Sequence, residues 1–107
     1  IETYNSFHEG IFIRDLYTGY VFFANKALND MLGYDLTGGD SRKILKNLRD
    51  KFENMDGMRK QIVDRKVSNW CSYVPALDEI MDITEVPIEW LQGGAATMII
   101  MRKAKDN

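Results

Sequence analysis

One cysteine and one histidine stand in a chain of 107 residues, and that scarcity removes whole classes of chemistry. A lone Cys71 has no partner for an internal disulfide, and a lone His8 leaves no ligand set for a structural zinc ion. Nucleophilic catalysis needs a nucleophile with a base held beside it. Cys71 and His8 are far apart in sequence, and His8 precedes the first strand, so a Cys–His site is not expected. Gly38-Gly39 and Gly93-Gly94 lack the spacing of a phosphate-cradling loop. There is no apolar run of about 18 residues to span a membrane, and no charged-then-apolar signal peptide opens the chain. A basic excess is also missing. The net charge of −2 offers no face to neutralise phosphates, which argues against nucleic acid as a partner. Arg42, Lys43, Lys46, Arg49 and Lys51 do gather, but acidic residues surround them, and they read as a solvated helix face. Ile1 in place of Met reads as the start of a fragment cut from a longer protein.

What is present fits one globular domain over residues 1–107, with 1–8 as an N-terminal flank and 103–107 as a connector. Hydrophobic residues make up 45% and charged residues 28%, well away from a disordered composition. Ile11, Ile13 and Asp15 share one strand face, with Phe12 and Arg14 on the other. Tyr17-Thr18-Gly19 supplies a tight turn in which Gly19 takes a positive φ. A second strand, Tyr20 to Ala24, places Val21 and Phe23 on one side and Phe22 on the other. Asn25 caps a helix whose Ala27, Leu28, Met31 and Leu32 form an apolar stripe, and Gly33 stops it. After Gly38-Gly39, Asp40 or Ser41 caps a second short helix with Ile44, Leu45, Leu48 and Phe52 inward. A third is predicted from about Asn54 to Lys66. Then come strands: Trp70–Val74, ended by Pro75; Ile80–Trp90; and, after a turn at Gln92-Gly93-Gly94, Ala95–Arg102. In the middle one, Met81 and Ile83 have one parity and Val86, Ile88 and Trp90 the other. That switch predicts a bulge or break near Thr84 to Pro87. The dense run Met98-Ile99-Ile100-Met101 predicts a central last strand. The sum is an α+β fold, a five-stranded antiparallel sheet with three short helices between the second and third strands.

An apolar strand ending in Asp15, a turn at Gly19, a strand ending in Asn25 and a helix ending in Gly33-Tyr34 together resemble the opening of a PAS domain. Thr84-Glu85-Val86-Pro87-Ile88, followed by Gly93, is similar to the later Pro-containing strand of that family. The likeness runs from about Glu9 to Lys103. It implies a sensory or regulatory module of a larger cytoplasmic signal-transduction protein, such as a histidine kinase or diguanylate cyclase. Many members end the last strand with Asp-Ile-Thr; here Lys103-Ala104-Lys105 stands instead, and Asp82-Ile83-Thr84 falls mid-strand.

The resemblance also bears on cofactors. Members that form a covalent flavin adduct carry a Cys after Gly-Tyr, where this chain has Asp40-Ser41-Arg42-Lys43-Ile44-Leu45. Cys71 lies in a strand and reads as a small, partly buried apolar residue. Haem-binding members use a His on the third helix, and Asn54 to Lys66 contains none. The cofactor stays open. Ile13, Phe23, Met31, Leu48, Ile62, Tyr73 and Trp90, with Trp70, form a candidate pocket lining between sheet and helices, or equally the plain core. The acidic run Asp78, Glu79, Asp82, Glu85 and Glu89 reads as a solvated strand edge, and no enzyme is expected. Large residues on both sheet faces call for a cover on the second, a flanking helix or a partner chain. The expected partner is a second copy, a homodimer through the sheet face or N-terminal flank, with Phe12, Phe22 and Trp90 on the outer face. Two readings of function remain: a module that binds a small ligand or partner and relays a conformational signal, and a ligand-free dimerisation or docking module. A free-standing small-molecule-binding protein is a third.

Overall fold

The computed structural model describes residues 9–45, 67–91 and 94–105. The first strand, β1 (Gly10–Asp15), ends in a turn that Asp15 organises. Its Oδ1 accepts the N–H groups of Tyr17 (2.7 Å) and Thr18 (2.9 Å), and Gly19 closes the turn at φ +78°. The chain returns as β2 (Val21–Ala24) and enters helix α1 (Lys26–Leu32). Asn25 joins three pieces here. Its side-chain oxygen accepts from Leu28 N–H as the helix cap and from Ile11 N–H on β1, and its Nδ2 donates to the Glu9 carbonyl. Gly33, left-handed at φ +85°, ends the helix with its N–H on the Asn29 carbonyl.

Beyond it, Gly38 to Ser41 runs along the edge of β2. Val21 N–H donates to the Gly39 carbonyl, Gly38 N–H to the Val21 carbonyl and Ser41 N–H to the Gly19 carbonyl. A 3-10 turn, Ser41–Lys43, follows, capped by Asp40. Among the described residues, one α-helix and this 3-10 turn stand where two helices were expected. The predicted helix from Asn54 to Lys66 lies outside the described residues. The later strands are β3 (Ser68–Val74), β4 (Glu79–Trp90) and β5 (Gly94–Lys103). All strand pairs are antiparallel, in the order β2-β1-β5-β4-β3, so β5 is central as its apolar run predicted.

Helix α1 lies on one face of the sheet. Phe12, Ile83, Ile99, Met101, Met81 and Val74 meet Val21, Ala24, Leu28, Leu36, Ile44 and Leu45 there in one buried cluster. Gly10 sits under the helix: a Cβ built on it would stand 2.8 Å from Met31 Cε and 3.2 Å from Leu28 Cβ.

Three strand readings are corrected. β4 pairs with β5 without a slip from Met81↔Lys103 to Trp90↔Gly94, so there is no bulge at Thr84 to Pro87. Met81, Ile83, Glu85 and Pro87 form one buried column, and the apparent switch of parity arose because Val86, Ile88 and Trp90 are apolar on the opposite, part-buried face. Among the described residues the β3 partners stop at Ser68↔Glu85, so Pro87 breaks no ladder bond described on that side. The irregularity is in the first hairpin. Val21 opposes Arg14 and Phe23 opposes Ile13, so Phe22 is the extra residue and Val21 and Phe23 do not share a face. Finally, Phe12 belongs to the core and is fully buried, so it is not on the outer face.

Candidate functional site

The inner face of the sheet is not wholly apolar. Arg14 has the parity of Phe12, so it points at the core, opposite Thr97 on β5. Glu85 reaches the same layer from β4, opposite Ile99, and the pair meets diagonally across β5 with Arg14 Nη2 3.5 Å from Glu85 Oε2. Arg14 Nη1 also donates to Ser41 Oγ at 3.2 Å, tying the 3-10 turn to the sheet. Both charged side chains are almost fully buried. Thr97 Oγ1, beside them, is buried with no hydrogen-bond partner among the described residues. Two charges removed from water need each other and further hydrogen bonds, so this inset clamps β1, β4 and the 3-10 turn. It was legible only as charges placed in apolar columns: Arg14 beside Phe12, and Glu85 between Ile83 and Pro87. Glu85 is therefore no part of a solvated edge, while Asp82 and Glu79 are partly exposed and pair with Arg102 and Lys103.

The outer face carries Ile11, Ile13, Val86, Ile88, Met98 and Ile100, all half-buried, with Phe23 more exposed. Trp90 also lies here. Its ring stacks on Phe22 (5.6 Å, 17°), and Phe22 meets Tyr20 edge-on at 5.5 Å. Next to this row is an open groove of about 590 Å³, lined by Asp15, Thr18, Tyr20, Phe22, Gly38, Gly39 and Asp40. Asp40 is held by Arg42, whose Nε and Nη2 donate to it at 3.0 and 2.7 Å. Those bonds, with the Arg42 backbone N–H, pull the Asp40 carboxyl down to about 2.

The proposed pocket residues are not brought together. Ile13, Phe23, Tyr73 and Trp90 have outer-face parity, turned away from α1, and Met31 is an exposed residue on the helix. Leu48 and Ile62 lie outside the described residues. Trp70 alone among the aromatic candidates packs against the core. Tyr73 is exposed and donates its hydroxyl to Asp78 at 2.6 Å, which raises its pKa. Cys71 is exposed on β3, not partly buried. Among the described residues, no three metal-capable side chains cluster, and no helix is long and apolar enough to cross a membrane.

An antiparallel sheet with helical cover on one face and an apolar belt on the other is the architecture of a small α+β domain. A family model described as a PAS domain matches residues 3–65, more than half of the chain, and the chain belongs to the PAS domain family. No curated protein matches it in sequence. Solved structures share the fold. A domain of an HTR-like protein from Haloarcula marismortui superposes with a TM-score of 0.67 at 12% identity, covering 91% of this chain and 98% of that one. The PAS domain of nitrogen regulation protein NR(II) from Vibrio parahaemolyticus gives 0.66 at 14%, covering 90% and 89%. A sensory box sensor histidine kinase from Vibrio cholerae gives 0.66 at 10%, covering 98% and 89%. At these identities the likeness carries the fold alone.

Proposed function

We propose that the chain is a non-catalytic sensory or regulatory module of a larger cytoplasmic signal-transduction protein, and that it pairs with a second copy through the outer face of its sheet. The observation that carries this reading is the belt of Ile11, Ile13, Val86, Ile88, Met98 and Ile100, half-buried on the face opposite the core cluster. A contiguous apolar surface of this kind marks an interaction site. An input shifts such an assembly only if it binds the two states unequally, by about 1–3 kcal/mol in typical couplings. The family's presence in sensor kinases supports the role.

The test is sedimentation velocity across a concentration series, together with native mass spectrometry and an absorption spectrum. A dimer that Ile88→Glu converts to a folded monomer supports pairing through the face. A monomer at every concentration overturns it. The native mass separates the two remaining roles. A bound small molecule or chromophore identifies a ligand sensor, and an apo dimer identifies a docking module.

A further inference from the structure

The groove between the β1–β2 hairpin and the Gly38–Asp40 segment is separate from the apolar belt and has a different chemistry. Aromatic rings form one side of it: Tyr20, about half exposed, then Phe22, with Trp90 stacked behind. Carboxylates stand at its rim, and they are not equivalent. Asp40 is gripped by Arg42, so its charge is already answered. Asp15 spends only Oδ1, on the N–H groups of Tyr17 and Thr18, and its Oδ2 has no partner among the described residues. A carboxylate with one oxygen unpartnered among the described residues, beside the half-exposed Tyr20 ring, is complementary to a cation, because the negative face of an aromatic ring and the carboxylate attract the same charge.

We propose that this groove docks an arginine side chain carried by an extended segment of a partner protein. Tyr20 is the exposed ring, edge-on to Phe22, which is itself stacked on Trp90, so the rings do not close into a cage. A planar guanidinium can lie on the Tyr20 face where a spherical ammonium would be less well matched. A guanidinium also has donors to spare for Asp15 Oδ2 once it is stacked. The groove is open along one side and, at about 590 Å³, exceeds what one small cation fills, so the cation arrives on a chain. Gly38 lines the groove beside Tyr20 in a left-handed conformation, φ +83°, which side-chain-bearing residues rarely adopt.

The test is a titration of the ¹⁵N-labelled chain with a capped Gly-Gly-Arg-Gly-Gly peptide, alongside the same peptide carrying citrulline, the neutral isostere of arginine. Saturable shifts of the Gly38 and Gly39 amides and of the Trp90 indole are expected, with the Trp70 indole as an internal control. The citrulline peptide should bind at least about tenfold more weakly, and added salt should weaken only the arginine peptide. Asp15→Asn keeps an oxygen for the Tyr17 and Thr18 N–H groups and removes the charge. It should lose about tenfold in affinity with the Trp70 indole unmoved. Equal binding of the citrulline peptide, shifts centred elsewhere, or no saturable shift at about 20 mM peptide would each overturn the proposal. Failure here leaves pairing through the sheet face untouched, since that is read from the sedimentation of the free chain.

Discussion

Arg14 and Glu85 contribute stability through each other, and the single and double changes separate that from plain packing. Glu85→Leu leaves a guanidinium buried beside Ser41 and should cost about 3–5 kcal/mol in urea unfolding. Arg14→Met combined with Glu85→Leu removes both charges at similar volume and should recover most of that loss. Equal losses in single and double variants would show that the pair has no coupling. Asn25 contributes by geometry, bonding β1 and the helix start with one side chain. Asn25→Ala removes the cap and the β1 tie together, so its cost should exceed the ~1 kcal/mol of an ordinary cap. Asp40 gives a pH signature. Its carboxyl is pulled from 3.8 to about 2, chiefly by the Arg42 side chain. A depressed acid stabilises the fold fully above its unfolded value, and that contribution disappears as pH falls through the folded one. The stability difference between the wild type and Asp40→Asn should therefore hold above about pH 5, decline as pH falls through about 2, and vanish by about pH 1. It should stay under about 1 kcal/mol, because the pair is partly exposed and water screens it. A difference that persists undiminished at about pH 1 would assign it to packing.

At the scale of elements, the alternation within β4 and the bulge in β2 decide which side chains meet. β4 is twelve residues without a slip, and one shifted residue would move Glu85 off Arg14 and turn Ile83 to solvent. The bulge in β2 does the opposite work: it buries Val21 and Ala24 while leaving Phe23 on the outer face. Helix α1 is seated where β1 has no side chain at Gly10. Gly10→Ala should cost about 1–3 kcal/mol, because the Met31 methyl can move aside but Leu28 Cβ is fixed to the helix backbone. Thermal unfolding of the variant checks this, and an unchanged midpoint would mean that the helix shifts freely over the sheet.

For the whole molecule, a single sheet presents a buried core on one side and a half-buried apolar belt on the other, and the proposed function is read from the second. Cys71, exposed on the outer edge strand, reports on that arrangement. It should react to completion with a maleimide under native conditions, and a reaction requiring unfolding would contradict the assignment of β3 faces. Much of this was legible in local sequence. Asp15, Gly19 and Gly33 act through bonds or φ values within their own turns, and Asn25 caps the helix from its first turn. The hairpin and the capped helix therefore follow from residue chemistry near in the chain, whereas the bonds of Asn25 to Ile11 and Glu9 needed the fold. The central position of β5 likewise follows from its unbroken apolar run. Tertiary structure alone decided the rest. Strand parity says which residues share a face but not which face meets the helix, so Ile13, Phe23 and Trp90 read equally well as pocket or exterior. Glu85 looked solvent-facing until Arg14, seventy-one positions earlier in the chain, was brought across β5 to 3.5 Å. A buried charge is acceptable only when its partner arrives with it, and the arrival is a property of the fold and not of either segment.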